Sequence, residues 1–104
     1  MLNQIILVGR INKITEEGAG MMITIAVPRS FKNEEGEYET DYIDCYLWKG
    51  IAEQVKEYCK ESDIVGIKGR MQTDIIDDTK IQRIIVEKLT FLGSKKEEKE
   101  NENV

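Results

Sequence analysis

The chain has 104 residues, 40% hydrophobic and 34% charged, which allows one domain with one modest core and is ordinary for a soluble globular protein. It contains no histidine, and its two cysteines alone cannot assemble a usual zinc site, so no metal or other cofactor is expected. The net charge of −5 excludes capture of a polyanion by global attraction, so nucleic acid would have to be met by locally placed cations.

The opening MLNQIILVGR predicts a strand from Asn3 to Arg10 whose nearly continuous apolar run implies burial on both faces or a subunit contact. The run Ile5 to Val8 is too short for a signal peptide or a membrane span, and no basic segment precedes it. A cytoplasmic protein without membrane attachment is therefore expected. The polar stretch ITEEGAG reads as a connection. In the second predicted strand, Met21 to Val27, Met21, Ile23, Ile25 and Val27 alternate with Met22, Thr24 and Ala26, and Pro28 closes or edges it. RSFKNEEGEYE, from Arg29 to Glu39, reads as a long hairpin loop with Asn33 and Gly36 supplying the turn.

The third strand, TDYIDCYLWKG from Thr40 to Gly50, puts Ile43, Cys45 and Leu47 on one face and Tyr42, Asp44, Tyr46 and Trp48 on the other. The period then changes: Ile51, Ala52, Val55, Tyr58 and Cys59 follow the i, i+1, i+4, i+7, i+8 spacing of a helix packed on the core. A fourth strand is predicted from Asp63 to Thr73. Its interior glycines imply a sharp bend or the close approach of another backbone. A loop at Asp77 and Asp78 leads to a last strand from Lys80 to Leu92, and residues 94–104 are expected to be a disordered charged tail. Three strands, a helix and two strands, with antiparallel alternation throughout, predict an all-β protein with one helix. The architecture expected over residues 1–93 is an OB-fold, a five-stranded Greek-key barrel with the helix between strands three and four.

MLNQIILVGRI, ITIAVPRSFKNEEGE, TDYIDCYLWKGIAEQV and GIKGRMQT, in this order and spacing, resemble the bacterial single-stranded DNA-binding proteins over about residues 1–92. The resemblance implies non-catalytic, sequence-independent coating of single-stranded DNA in replication, recombination or repair. It also implies a homo-oligomer, a tetramer in most relatives and a dimer in some. The family's stacking positions match Phe31, Tyr42 and Trp48. Tyr46 joins them by alternation alone, and Arg29, Lys32, Lys49, Lys68 and Arg70 are the basic residues expected nearby, with Arg10 and Lys13 more distant. Asp44, which would repel phosphate, is expected to pair across the sheet with Lys68 or Arg70.

Two departures stand out. TDIIDDTK replaces an aromatic that relatives often carry after the fourth strand, implying a shorter bound path. The ending ENENV replaces an acidic tip with a terminal apolar pair, so recruitment of replication proteins through such a tip is not expected. Read from the third strand alone, the aromatic face equally suits a protein-interaction subunit of a replication or primosome assembly. A single-stranded RNA binder shares the same residues. The loop acids Glu16-Glu17, Glu34-Glu35 and Asp77-Asp78 lack any histidine or activated nucleophile beside them, so no enzyme activity is expected.

Overall fold

The computed structural model describes residues 1–18 and 20–94; the predicted tail beyond Ser94 lies outside them. Five strands and one helix follow in the order β1 (Ile5–Glu17), β2 (Gly20–Lys32), β3 (Tyr38–Leu47), α1 (Lys49–Tyr58), β4 (Ile64–Ile76) and β5 (Thr79–Gly93). They form a closed barrel in which the strands neighbour one another as β1-β2-β3-β5-β4. β1 closes it by serving two ladders: Ile5 to Arg10 pair with β4, and Arg10 to Glu17 pair with β2, with an irregularity between Ile11 and Lys13. The last closure is parallel, not antiparallel as expected from the strand order: Cys45 and Tyr46 of β3 lie beside Ile84 and Ile85 of β5. The helix and β4 intervene between these strands, and such a crossover is what makes a parallel neighbour possible.

The strands outrun the predicted ones at seven of their ten ends. In β2 the buried alternation stops after Val27, yet the ladder continues past Pro28 to pair Lys32 with Tyr38. Arg29 to Lys32 has therefore left the core, and hydrogen bonds rather than apolar burial hold its pairing, while Lys13 to Glu17 keeps Ile14 packed against the core. The turns that join them use local polar chemistry. The Asn33 carboxamide oxygen accepts from the backbone N–H of Glu35 and Glu37 at 2.9 and 3.0 Å, and Asp77 and Asp78 both take the left-handed conformation of a two-residue hairpin turn.

The core runs from Ile11, Met21, Ile23 and Ile25 through Cys45 and Leu47 to Val65, Ile67, Val86 and Leu89. α1 lays Ala52 and Val55 onto it, with Ile51 and Cys59 partly buried alongside, each fully buried aliphatic contributing about 1.5–3 kcal/mol. Tyr58, expected on that stripe, stands in the last turn of α1 and remains exposed. Just beyond it, buried Asp63 accepts a hydrogen bond from the Lys60 N–H, and the Ser62 N–H and Asp63 carbonyl bond the backbone of Ile11, fastening the helix exit to β1.

Burial sets the two thiols apart. Cys45 has no exposed surface and its thiol is pushed up to about 12, by burial first and the Asp44 charge second; Cys59, partly buried, is raised by burial and by Asp63. The thiolate is the nucleophile, so a disulfide-exchange reagent at neutral pH is expected to modify Cys59 slowly and Cys45 only after unfolding. Colour release counted before and after denaturant checks this.

Candidate nucleic-acid interface

β3 turns Cys45 and Leu47 wholly inward, with Ile43 half-buried against the core, and its even-numbered residues outward. Tyr42 is 63% exposed, and Tyr38, which the predicted strand had left out by starting at Thr40, is 60% exposed in the same row. The alternation would have reached Tyr38 had the strand been extended by two residues. Tyr38, Tyr42 and Tyr46 follow at intervals of about 13 Å, since a strand rises roughly 3.3 Å per residue. Trp48, 56% exposed, is not in the strand: it caps α1, its carbonyl accepting the Ala52 N–H at 2.8 Å while its ring projects at the end of the row.

Tyr46 is half-buried, and its ring is covered by the guanidinium of Arg83, 4.7 Å from the ring centroid. The Tyr46 ring is thus shared with an arginine, a partner that sequence order hides because it comes from the parallel β3–β5 closure. Between this pair and Trp48 opens a cleft of about 260 Å³, lined also by Gln72, Asp74 and Ile85. A chain of polar contacts crosses its far side. Arg70 donates to the Gln72 carboxamide oxygen at 2.9 Å, the Gln72 amide donates to Asp74 at 3.1 and 3.3 Å, and Asp74 faces Arg83 at 3.6 Å. A second, more open cleft of about 400 Å³ lies beside Tyr42, with Gly9, Arg10, Ala26, Pro28, Thr40 and Ile64 around it.

Phe31, Arg29 and Lys32 lie together on the arm formed by the ends of β2 and β3. Phe31 is 63% exposed, and the Lys32 ammonium sits 5.7 Å from the centre of the Tyr38 ring. Arg29 is committed elsewhere: it bonds Asp41 through Nε and Nη2 and Glu39 through Nη1, both ion pairs at 2.8 Å. The bond from Arg29 holds the Asp41 carboxyl below its ordinary range and raises the guanidinium in turn. A phosphate reaching Arg29 must displace two carboxylates. The double change Glu39→Gln with Asp41→Asn is therefore expected to strengthen binding to a single strand and to steepen its salt dependence by about one phosphate. Titration at several salt concentrations checks it.

Three placements differ from expectation. Asp44 accepts from the Thr24 hydroxyl at 2.8 Å on β2 and does not pair with Lys68 or Arg70. Both belong to β4, whose neighbours are β1 and β5, and Arg70 instead faces Glu87 at 3.6 Å. Lys68 lies opposite Ile6 and Lys88, in a shallow groove with Val8 and Thr90 and no aromatic residue. Lys49 opens α1 beside Trp48 and borders a depression shared with Glu16, Glu53 and Lys56, the last ion-paired to Glu16. The structure thus gathers Tyr46 and Trp48 round one cleft, joins Arg70 to it only through Gln72, sets Tyr42 over a second, extends the row along the arm, and leaves Lys68 apart. Among the described residues no group of three His, Cys, Asp or Glu side chains is placed to hold a metal, and no helix is long and apolar enough to cross a membrane.

Comparison with known proteins agrees with this fold. "Single-stranded DNA-binding protein B" of Bacillus subtilis is 37% identical across 95% of this chain and 97% of its own length. "Single-stranded DNA-binding protein A" of the same organism is 39% identical across 83% of this chain, which spans 54% of that longer relative. Among solved structures, a small single-stranded DNA binding protein from Mycoplasma pneumoniae superposes with a TM-score of 0.67 at 26% identity, over 86% of this chain and 92% of its own. A Plasmodium falciparum SSB in complex with ssDNA superposes with a TM-score of 0.70 at 19% identity over 88% and 96%, a likeness of fold alone. The single-strand binding protein family matches residues 2–92, the whole barrel from the first strand to the last, and the chain belongs to that family.

Proposed function

We propose that this protein binds single-stranded DNA without catalysis, by stacking bases along the outer row of β3 and its arm. The observation that carries the reading is the row itself: Tyr38, Tyr42 and Trp48 are each more than half exposed, with Phe31 exposed on the same arm, where a soluble barrel would otherwise place polar groups. Membership of a family whose relatives are named for single-stranded DNA favours this partner over a protein interface. Stacking contributes roughly 1–3 kcal/mol per base and is indifferent to sequence. Lys32 beside Tyr38 and Arg70 beside the Trp48 cleft supply cations along the path, and Asp41, Asp44 and Glu39 temper them.

Such binding would protect and hold open strands exposed in replication, recombination or repair. Self-association fits the outer face of β1, where Ile6 and Val8 are 68% and 54% exposed beside Leu92 at 54%. A tetramer is the assembly favoured, and light scattering on the purified protein measures it. Trp48 is the sole tryptophan, so its fluorescence reports the site directly. Titration with oligo(dT) is expected to quench it, with duplex leaving it nearly unchanged and added salt weakening the effect. Equal response to duplex, or none to single strands, would contradict the reading.

A further inference from the structure

The barrel's register sets two cations directly across the sheet from the aromatic row. Arg10 of β1 lies opposite Ala26 of β2, which lies opposite Tyr42 of β3; Lys13, Thr24 and Asp44 line up in the same way one step along. Residues paired across an antiparallel ladder share a face, so both lines stand on the outer side with the row. The irregularity between Ile11 and Lys13 makes this possible: Ile11 and Ile14 both face the core, and Arg10 and Lys13 both face out. Between the cations and the row β2 contributes only the small side chains of Ala26 and Thr24, which leaves a trough. At Tyr42 that trough is the cleft of about 400 Å³, with Arg10 on one side and the tyrosine on the other. Nη1 of Arg10 donates to the Ser62 carbonyl at 3.0 Å, which tethers the guanidinium there. Lys13 is exposed and has no ion pair among the described residues. The cations on β4, β5 and the arm are instead met by acids: Arg70 faces Glu87, Arg83 faces Asp74, and Arg29 is bonded to Asp41 and Glu39.

We propose that the bound strand lies with its bases on β3 and its sugar-phosphate chain over β1, where Arg10 and Lys13 hold successive phosphates. The inference rests on the single-stranded DNA reading above and gives the strand an orientation across the sheet. Neighbouring strands lie about 4.8 Å apart, so β1 and β3 are separated by roughly 9.5 Å, a span that one nucleotide covers from base to phosphate. From Ala26 to Thr24 the sheet advances roughly 6.6 Å, a step that successive phosphates of an extended chain can match. Asp44 gains a part in this arrangement. Held toward β2 by the Thr24 hydroxyl at 2.8 Å, its carboxylate repels phosphate from the middle of the row and leaves β1 as the side on which the chain lies. Contacts to phosphate carry no sequence information, so binding stays indifferent to sequence.

The test is the salt dependence of oligo(dT) affinity, followed by Trp48 fluorescence, in the unaltered protein and in the double variant Arg10→Gln with Lys13→Gln. Each phosphate contact contributes about 0.7 to the slope of log affinity against log salt on a single strand, so the double change is expected to flatten the slope by roughly 1.4. Quenching at saturation is expected to persist, because the rings are untouched. The charge-keeping exchange Arg10→Lys with Lys13→Arg is expected to retain the original slope. An unchanged slope in the glutamine variant overturns the phosphate track while the single-strand reading stands. Equal flattening in the charge-keeping exchange overturns it too, since charge would then not be the cause. Quenching by no single strand in the unaltered protein removes the single-strand reading and the track with it. Lys13→Gln alone, at an exposed position, is expected to flatten the slope by about 0.7 and keeps the test decisive even if the double variant does not fold.

Discussion

Replacing Tyr42 and Trp48 together by alanine is expected to weaken binding to oligo(dT) by two orders of magnitude or more while leaving the fold intact. Each ring contributes roughly 1–3 kcal/mol if a base stacks on it, and every 1.4 kcal/mol is tenfold in affinity. Both side chains are more than half exposed, so their removal opens no cavity in the barrel. The slope of affinity against salt should stay nearly constant, because phosphate contacts set it and they are untouched. Since the double change removes the tryptophan, a fluorescent label on the oligonucleotide supplies the readout. Tyr58→Ala is the control: that ring is 67% exposed on α1, away from the row, and its loss is expected to change nothing. A comparable loss in the control would mean that any exposed aromatic serves, and the row would lose its meaning.

Gly69→Ala is expected to destabilise the barrel strongly for a single added methyl. A Cβ built at Gly69 would stand 2.2 Å from the Ile85 carbonyl oxygen and 3.3 Å from the Val86 Cα, and these are backbone atoms of the neighbouring strand rather than a yielding side-chain tip. The ladder between β4 and β5 already shifts register between Lys68 and Gly69, so the two backbones are pressed together there. Overpacking typically costs about 1–3 kcal/mol, and a clash with backbone belongs at the upper end. In a domain with about 5–15 kcal/mol of net stability that is a large share, visible as a melting temperature lower by roughly 10 °C or more. Ile85 lines the Trp48 cleft, two residues from Arg83, so any protein that still folds is expected to bind single strands less well. Gly66→Ala is the comparison: its added methyl would meet only side-chain carbons, at 3.5 Å and beyond, and should be tolerated far better.

Much of this was legible in the chain. The alternation in YIDCYL separated core from surface because Cys45 and Leu47 are buried and Ile43 packs against the core on one face of β3, and a period of two then admits one register. The switch to a period of 3.6 at Ile51 located the helix for the same reason. Strand lengths were not legible, because Lys13 to Glu17 sets only Ile14 against the core cluster and Arg29 to Lys32 sets nothing there, and apolar periodicity reports only burial. Tyr38 was lost with them. The partners of the site residues were hidden more deeply, since they depend on which strands become neighbours. Parity alone matches Asp44 with Lys68 or Arg70, but parity says which side of a sheet a residue faces, not which strand lies next to it. Barrel closure gave Asp44 to Thr24 and Tyr46 to Arg83. The ion pairs of Arg29 were nearer to hand: once Pro28 is set opposite Thr40, Arg29 must meet Asp41 and Glu39 across the arm.

The central claim is that bases lie on the outer row of β3 and its arm. Photo-crosslinking with an iodouracil-substituted oligo(dT), followed by peptide mapping, tests it most directly, since the reaction marks aromatic side chains in contact with a base. The account predicts adducts at Trp48 and Tyr42, with Phe31 and Tyr38 joining as the strand is lengthened toward the arm. Adducts confined to Tyr58 or Phe91, outside the row, would contradict it.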